Sequence, residues 1–342
     1  MQSIPDHPID TILWGIHEQY RRTWLEERDN IFRRVYDPCI KLGKDVGIES
    51  SLEEMLLHIY VPLSEWVFQT YCGLRSIKSC PIILGLVGPP GAGKTSTSLF
   101  IQSIFQAAWE LSVVILSLDN FYKTQEQRAA MNSCVHDLFR TRGVPGTHDL
   151  DLGHFVFKSL LSATEATTTA IPVFDKSPAV DDRLPKDQWQ TYHGRPDMII
   201  FEGWCVGAKP QPQDALQIPV NSLEQDKDPK CVWRSFVNEQ LRTDYQKLFD
   251  YLDVLIMIKV PSWSVILAQR WEQEQKRKPH LSEARFHEFL MYYQRLCLWM
   301  HQEMPGRADM VMEIDRDRNL TKVAQNRSVP PPGLQQINTG DC

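Results

Sequence analysis

The chain has 342 residues, with 37 Lys and Arg against 43 Asp and Glu, a formal net charge of −6. At 42% hydrophobic and 23% charged residues it reads as an ordinary globular protein, long enough to bury a sizeable core without disulfides or a structural metal. The acidic balance argues against nucleic acid as the main partner, and no apolar stretch approaches the roughly 18 residues that cross a bilayer, so neither nucleic acid nor membrane is expected as a partner.

The N-terminal MQSIPDHPIDTILWGIHEQY has no basic region followed by an apolar run, so no secretory signal is expected. The 8 cysteines are scattered and form no CxxC, the pattern of reduced thiols. A cytoplasmic protein is the expectation, and the sequons at Asn319 and Asn326 are read as chance matches. Residues 8–36 carry Trp, Leu, Ile, Glu and Arg at helical spacing. Ser51-Leu-Glu-Glu54 has the form of a capping box, followed by Met55, Leu56, Ile59, Tyr60, Leu63 and Trp66 in helical phase. Pro62 is expected to kink or break that helix. Residues 1–79 are therefore expected to form a helical segment that packs on the rest of the chain, with its aromatics in the core.

From residue 81 short β-branched runs alternate with helical stretches. The runs are Pro81–Val87, Val113–Leu118, Ile171–Phe174, Met198–Phe201, Val254–Val260 and Met310–Ile314. Helices are expected near 95–110, 123–140, 151–163, 233–250, 262–277 and 281–303. This alternation predicts βαβ units: an α/β, doubly wound, mostly parallel sheet with helices on both faces, spanning residues 80–318. Residues 207–231 read as an exposed inserted loop, and 319–342, with Pro330-Pro-Pro332, as a flexible tail.

Gly88-Pro89-Pro90-Gly91-Ala92-Gly93-Lys94-Thr95 is GxxxxGK[ST], after an apolar strand and before a helix, with Ser96 next. Its glycines let successive N–H groups surround a phosphate, and the helix start adds its own unpaired N–H groups and positive dipole end. Lys94 is placed to reach the outer phosphates of a nucleoside triphosphate, and the Thr95 hydroxyl to coordinate magnesium. Asp119, in Ser117-Leu-Asp119-Asn-Phe-Tyr122, ends the second strand, on the ligand side of such a sheet. There it either orients a substrate hydroxyl and accepts its proton, or caps the following turn. Met198-Ile-Ile-Phe201-Glu202-Gly203 has the shape of a Walker B strand, with Glu202 as a second magnesium ligand or a strand-terminal turn residue. No guanine-reading NKxD is present.

These segments together resemble the phosphoribulokinase and uridine kinase superfamily of P-loop kinases, and more closely the D-glycerate 3-kinase family. Arg142-Gly143-Val-Pro-Gly146-Thr-His148-Asp149-Leu150 is similar to that family's RGxxGxHD, and Pro172-Val-Phe174-Asp175-Lys176-Ser177 to its PxYDKS. Phe201-Glu202-Gly203-Trp204-Cys-Val-Gly207-Ala-Lys209-Pro210 is similar to FEGWxxGxKP. The chain departs from the pattern at Asn120, where the family has a second acid, and at Pro178-Ala-Val-Asp181-Asp182-Arg183, which replaces a longer Gly/Arg-rich loop.

The resemblance implies ATP and Mg²⁺ as cofactors and a small-molecule acceptor, D-glycerate, with no protein partner predicted. It implies that Asp119 is the base and that Tyr122, Arg142, His148, Asp149, Asp175, Lys176 and Arg183 surround the acceptor. Arginines suit its carboxylate, and His148 and Asp149 its hydroxyls. Arg142 with Asp149 can equally be a structural ion pair, His148 a structural histidine, and Lys176 a solvated surface charge. Arg270, on a helix expected to act as a lid near 262–278, either stabilises the transferring phosphoryl or belongs to a salt-bridged outer face with Glu272, Glu274, Lys276 and Arg277. Other acceptors of the same superfamily (a nucleoside, a sugar phosphate, pantothenate), and a nucleotide-binding regulator, stay open at this point.

Overall fold

A computed structural model describes residues 14–15, 20–48, 51–276 and 282–326. The expectations for 1–13, for Arg277 and Lys278 of the lid, and for 327–342 lie outside the described residues.

Helix α1 (Arg21–Asp45) buries Trp24, Arg28, Ile31, Val35, Cys39 and Gly43, a single stripe at helical spacing. A helical turn, Leu52–Met55, runs through a π segment, Leu56–Tyr60, into α2 (Val61–Arg75). Ser51 does not cap it: the residue is in the left-handed region and its side chain makes no capping bond. Pro62 does not break the helix either, because it falls in the first turn of α2, just past the π segment. The carbonyl of His58, which Pro62 cannot bond, accepts Trp14 Nε1–H at 3.0 Å.

The remaining elements, in chain order, are β1 (Ile82–Val87), α3 (Lys94–Trp109), β2 (Val113–Ser117), α4 (Gln125–Cys134), α5 (Leu150–Leu161), β3 (Thr168–Ile171), β4 (Phe174–Asp175), β5 (Asp182–Arg183), β6 (Gln190–His193) and β7 (Met198–Gly203). Then come α6 (Ser222–Lys227), α7 (Val232–Arg242), α8 (Asp244–Phe249), β8 (Val254–Lys259), α9 (Trp263–Lys276), α10 (Glu283–Glu303), β9 (Met310–Ile314) and β10 (Leu320–Gln325).

The main sheet has six strands in the order β10-β9-β8-β1-β7-β2. All neighbours are parallel except the β10–β9 edge pair. Alternation along β1 feeds two cores. Leu84 and Leu86 face Trp14, Trp24, Leu63, Trp66 and α3, whereas Ile83 and Val87 face α5, α8 and α10. The N-terminal helices thus share a core with the sheet.

Three expectations change. Ile171–Phe174 is not a strand of the main sheet: it splits between β3, paired with β6, and β4, paired with β5. Residues 320–325 are an edge strand rather than tail, pairing antiparallel with β9 from Leu320 to Gln325 with a register shift between Leu320 and Lys322. The 207–231 segment is exposed over much of its length but is not a free loop: it carries α6, and Leu216, Leu223, Glu224 and Asp228 are buried in it. Buried arginines hold it: Arg295 grips Glu224 through Nε and Nη2 at 2.7 and 2.6 Å, and Arg234 Nη1 meets Asp228 Oδ2 at 2.9 Å. Among the described residues no helix is long and apolar enough to cross a membrane.

Candidate active site

The C-terminal ends of β1, β2 and β7 bring the first group of residues together. After β1, Gly91 and Gly93 take φ of +90° and +88°, the conformation that turns the loop around an anion. Helix α3 then begins at Lys94. Lys94 Nζ donates to the Pro89 carbonyl at 3.2 Å. Burial pushes its ammonium down, against the Glu202 and Asp119 carboxylates, which hold it charged. Thr95 Oγ1 donates to Glu202 Oε1 at 3.2 Å. Burial raises the Glu202 carboxyl, with Lys94 opposing. A hydroxyl and a carboxylate side by side at the start of this helix fit magnesium, which takes one or two protein oxygens and fills its shell with phosphate and water. Among the described residues no three His, Cys, Asp or Glu stand together as a metal cage.

Asp119 sits in a 3₁₀ turn, Leu118–Phe121, that comes directly after β2. Asn120 closes this turn, its Oδ1 accepting the Ser117 N–H at 2.9 Å. The departure from the family's second acid therefore has a structural task, and Asp119 is free of capping. The turn can come close to β7 because residue 203 is glycine: a Cβ there would lie 2.7 Å from Leu118 Cβ. Asp119 Oδ2 forms an ion pair with Lys176, so Lys176 is a paired charge although its side chain is half exposed. Oδ1 is buried and has no hydrogen-bond partner among the described residues. Burial raises the Asp119 carboxyl, but the adjoining Lys176 ammonium outweighs it and holds the group at about 2.

The acceptor-side residues converge on the same turn from two loops. Tyr122 and His148 form an isolated antiparallel bridge, and their rings stack with centroids 4.5 Å apart. Arg183 Nη2 donates to the Tyr122 carbonyl at 2.9 Å and to Asp149 Oδ2 at 3.0 Å. Asp149 Oδ1 caps α5 through the Leu152 N–H at 3.1 Å, so both of its oxygens are engaged. The Arg142–Asp149 pair is not formed. Arg142 instead pairs with Asp181 and lies over the Phe174 ring, 5.7 Å from its centroid. The cause is the short loop after Ser177, which folds back so that buried Arg128 also takes Asp181, Nη2 to Oδ2 at 2.8 Å. Asp175 is turned away from this group: its Oδ1 accepts the Ser177 N–H at 2.7 Å and shapes the turn that carries Lys176.

Helix α9 lies over the phosphate loop. A Cβ on Gly91 would be 2.9 Å from Arg270 Cδ, and Gln273 Nε2 donates to the Gly91 carbonyl at 3.4 Å. Arg270 Nη1 donates to Gln273 Oε1 at 2.8 Å. Its side chain is therefore on the inner face of the helix, not in an outer salt-bridged stripe. Three neighbours of the site carry no motif in the sequence. Arg318, in the β9–β10 turn, donates to the same Gly91 carbonyl at 3.4 Å. Tyr293 and Tyr245 are buried beside Tyr122 and His148 respectively. Each tyrosine lies in phase with apolar residues of its helix, so neither carried a signal beyond core packing.

No family model matches the chain. It is 31% identical to an uncharacterized kinase, mug58, of Schizosaccharomyces pombe over 213 residues, covering 60% of this chain and 73% of that protein. The chain belongs to the same family of kinases as that protein. The chain is also similar to the chloroplastic D-glycerate 3-kinase of Arabidopsis thaliana, 27% identical over 287 residues, 77% of this chain; the match spans 60% of that enzyme's length. The solved D-glycerate 3-kinase of Cryptococcus neoformans superposes with a TM-score of 0.65 at 20% identity, over 77% of this chain and 97% of that one. The YGR205w protein gives 0.58 at 23%, over 85% and 97%. Both likenesses establish the fold. Family and fold together make this chain a P-loop kinase, a phosphotransferase that uses ATP with Mg²⁺.

Proposed function

We propose that this kinase phosphorylates a hydroxyl of a small anionic acceptor, D-glycerate, giving 3-phosphoglycerate. The observation that carries the reading is the Lys176–Asp119 ion pair beside the phosphate loop, with one Asp119 oxygen buried and unpartnered. In this reading Asp119 orients the acceptor hydroxyl and takes its proton. Held at about 2, the carboxylate is ionised at neutral pH but weakly basic. An anionic acceptor that draws Lys176 away raises its basicity as the hydroxyl arrives. Arg142 and Arg183 exchange internal carboxylate partners for the acceptor's carboxylate. Tyr122 and His148 wall the acceptor, Asp149 positions Arg183, and Asp175 positions Lys176.

On the nucleotide side, the N–H groups of the 88–96 loop and the Lys94 ammonium hold the outer phosphates. Thr95 and Glu202 would hold magnesium, which when bound offsets the charge on the phosphoryl group. Arg270 adds positive charge from the lid and excludes water. The 80–318 region is read as the catalytic body, with 1–79 packed on it. The activity for which the Arabidopsis and Cryptococcus relatives are named supports D-glycerate as the acceptor.

Magnesium-dependent ADP release by the full chain tests the proposal, with D-glycerate set against uridine, ribulose 5-phosphate, pantothenate, glycerol and no acceptor. Stimulation by D-glycerate alone is expected. Stimulation by another compound instead would move the acceptor within the superfamily. Bound ATP with no release for any acceptor would leave a nucleotide-binding regulator.

A further inference from the structure

Tyr245 and His148 form a buried pair behind the acceptor wall. The Tyr245 oxygen accepts the Gly146 N–H at 2.9 Å and lies 2.6 Å from His148 Nδ1. Among the described residues His148 Nδ1 is the one acceptor that the Tyr245 O–H meets, and a buried hydroxyl proton left without one is costly. The O–H then goes to Nδ1, and the ring proton resides on Nε2.

Nε2 is buried and has no hydrogen-bond partner among the described residues. Such orphaned groups are costly and mark places where something else binds. The ring does not escape by charging, since burial pushes the imidazole down to about 3. Nor is it loose: Tyr122 stacks on it and Tyr245 meets it edge-on, with centroids 5.8 Å apart. Asp119 Oδ1 is the matching orphan, an acceptor where Nε2–H is a donor. Both residues flank Tyr122, whose ring stacks on His148 and whose backbone N–H donates to the Asp119 carbonyl at 3.4 Å. A hydroxyl between them would satisfy both, its oxygen accepting from Nε2–H and its proton donated to Oδ1.

We infer that Tyr245 is a positioning residue that fixes His148 as an Nε2–H donor, and that this N–H and Asp119 Oδ1 grip the acceptor hydroxyl that is phosphorylated. The second half rests on the phosphoryl-acceptor reading above. A hydroxyl held this way keeps one lone pair for attack. As that pair forms the new O–P bond, the bond from the γ-phosphorus to the bridging oxygen breaks and its electrons leave with ADP. The hydroxyl proton passes to Asp119. Lys176, half exposed on the other carboxylate oxygen, gives way as the acceptor enters.

The tautomer is read directly on the resting full chain, labelled with ¹⁵N-histidine, from long-range ¹H–¹⁵N correlations, with His148→Gln supplying the assignment. The wild type should show a protonated Nε2 and a bare Nδ1. Tyr245→Phe should lose that preference and raise the KM for D-glycerate roughly tenfold, the loss of about one hydrogen bond, with a smaller change in kcat. His148→Gln, which keeps an N–H near the Nε2 position, should retain more activity than His148→Leu. A protonated Nδ1 in the wild type, or a tautomer unchanged in Tyr245→Phe, overturns the inference. The stated tautomer without turnover of D-glycerate by the wild type upholds the role of Tyr245 and overturns the acceptor reading instead.

Discussion

At Asp119 a single neighbour outweighs burial. Its folded value, about 2, lies below the unfolded value of about 4. The stabilisation from its pair with Lys176 is therefore complete at neutral pH and is lost as pH falls from about 4 through about 2. Removing the ammonium leaves burial to dominate, so Lys176→Met should raise the Asp119 value. The acid limb of the kcat/KM profile should then move to higher pH, and an unmoved limb would mean that Lys176 does not face Asp119 in solution. Lys94→Ala should cut turnover by roughly a hundredfold or more, with the melting curve nearly unchanged. Near wild-type turnover in that variant would remove the phosphate loop from the reaction. Lys94, Thr95, Asp119 and Glu202 were legible because strand-to-turn context fixes where each side chain stands. The partner of Arg142 was not, because Asp181 reaches it only through a loop closure that no local spacing encodes.

Two segments with polar sequences became ordered elements. Glu224-Gln-Asp-Lys-Asp-Pro229 reads as a solvated charge run, yet Glu224 and Asp228 are 0% and 1% exposed. Their arginine partners come from α7 and α10, and Arg295 is 71 residues away from Glu224. Glu224→Ala strands the Arg295 charge in the interior and should lower the unfolding free energy by roughly 3–5 kcal/mol, measured by denaturant titration. The double variant Glu224→Leu with Arg295→Met should recover much of that loss. If the single variant is as stable as the wild type, the pair is solvated in solution. Leu320–Gln325 was hidden for a related reason: this edge strand mixes Thr, Lys and Gln with Leu, Val and Ala without strict alternation, and pairing to β9 orders it.

The whole molecule is a sheet between two cores, and the alternation that predicted it was visible in the apolar runs. Hidden from that pattern was how tightly the N-terminal helices are tied in. Trp66 packs in the same core as Leu84, Leu86 and Ile256. Trp66→Ala should therefore destabilise the chain by roughly 3–5 kcal/mol in a single thermal transition. Two separate transitions would mean that the helices fold as an independent unit. The most direct test of the central claim is ³¹P and ¹H NMR of the full chain incubated with ATP, Mg²⁺ and D-glycerate, beside the Asp119→Asn variant. A phosphomonoester on the primary hydroxyl of glycerate should form one-for-one with ADP, and the variant should be nearly inactive. ATP consumed to inorganic phosphate with no glycerate ester, or equal ester formation by Asp119→Asn, would contradict the account.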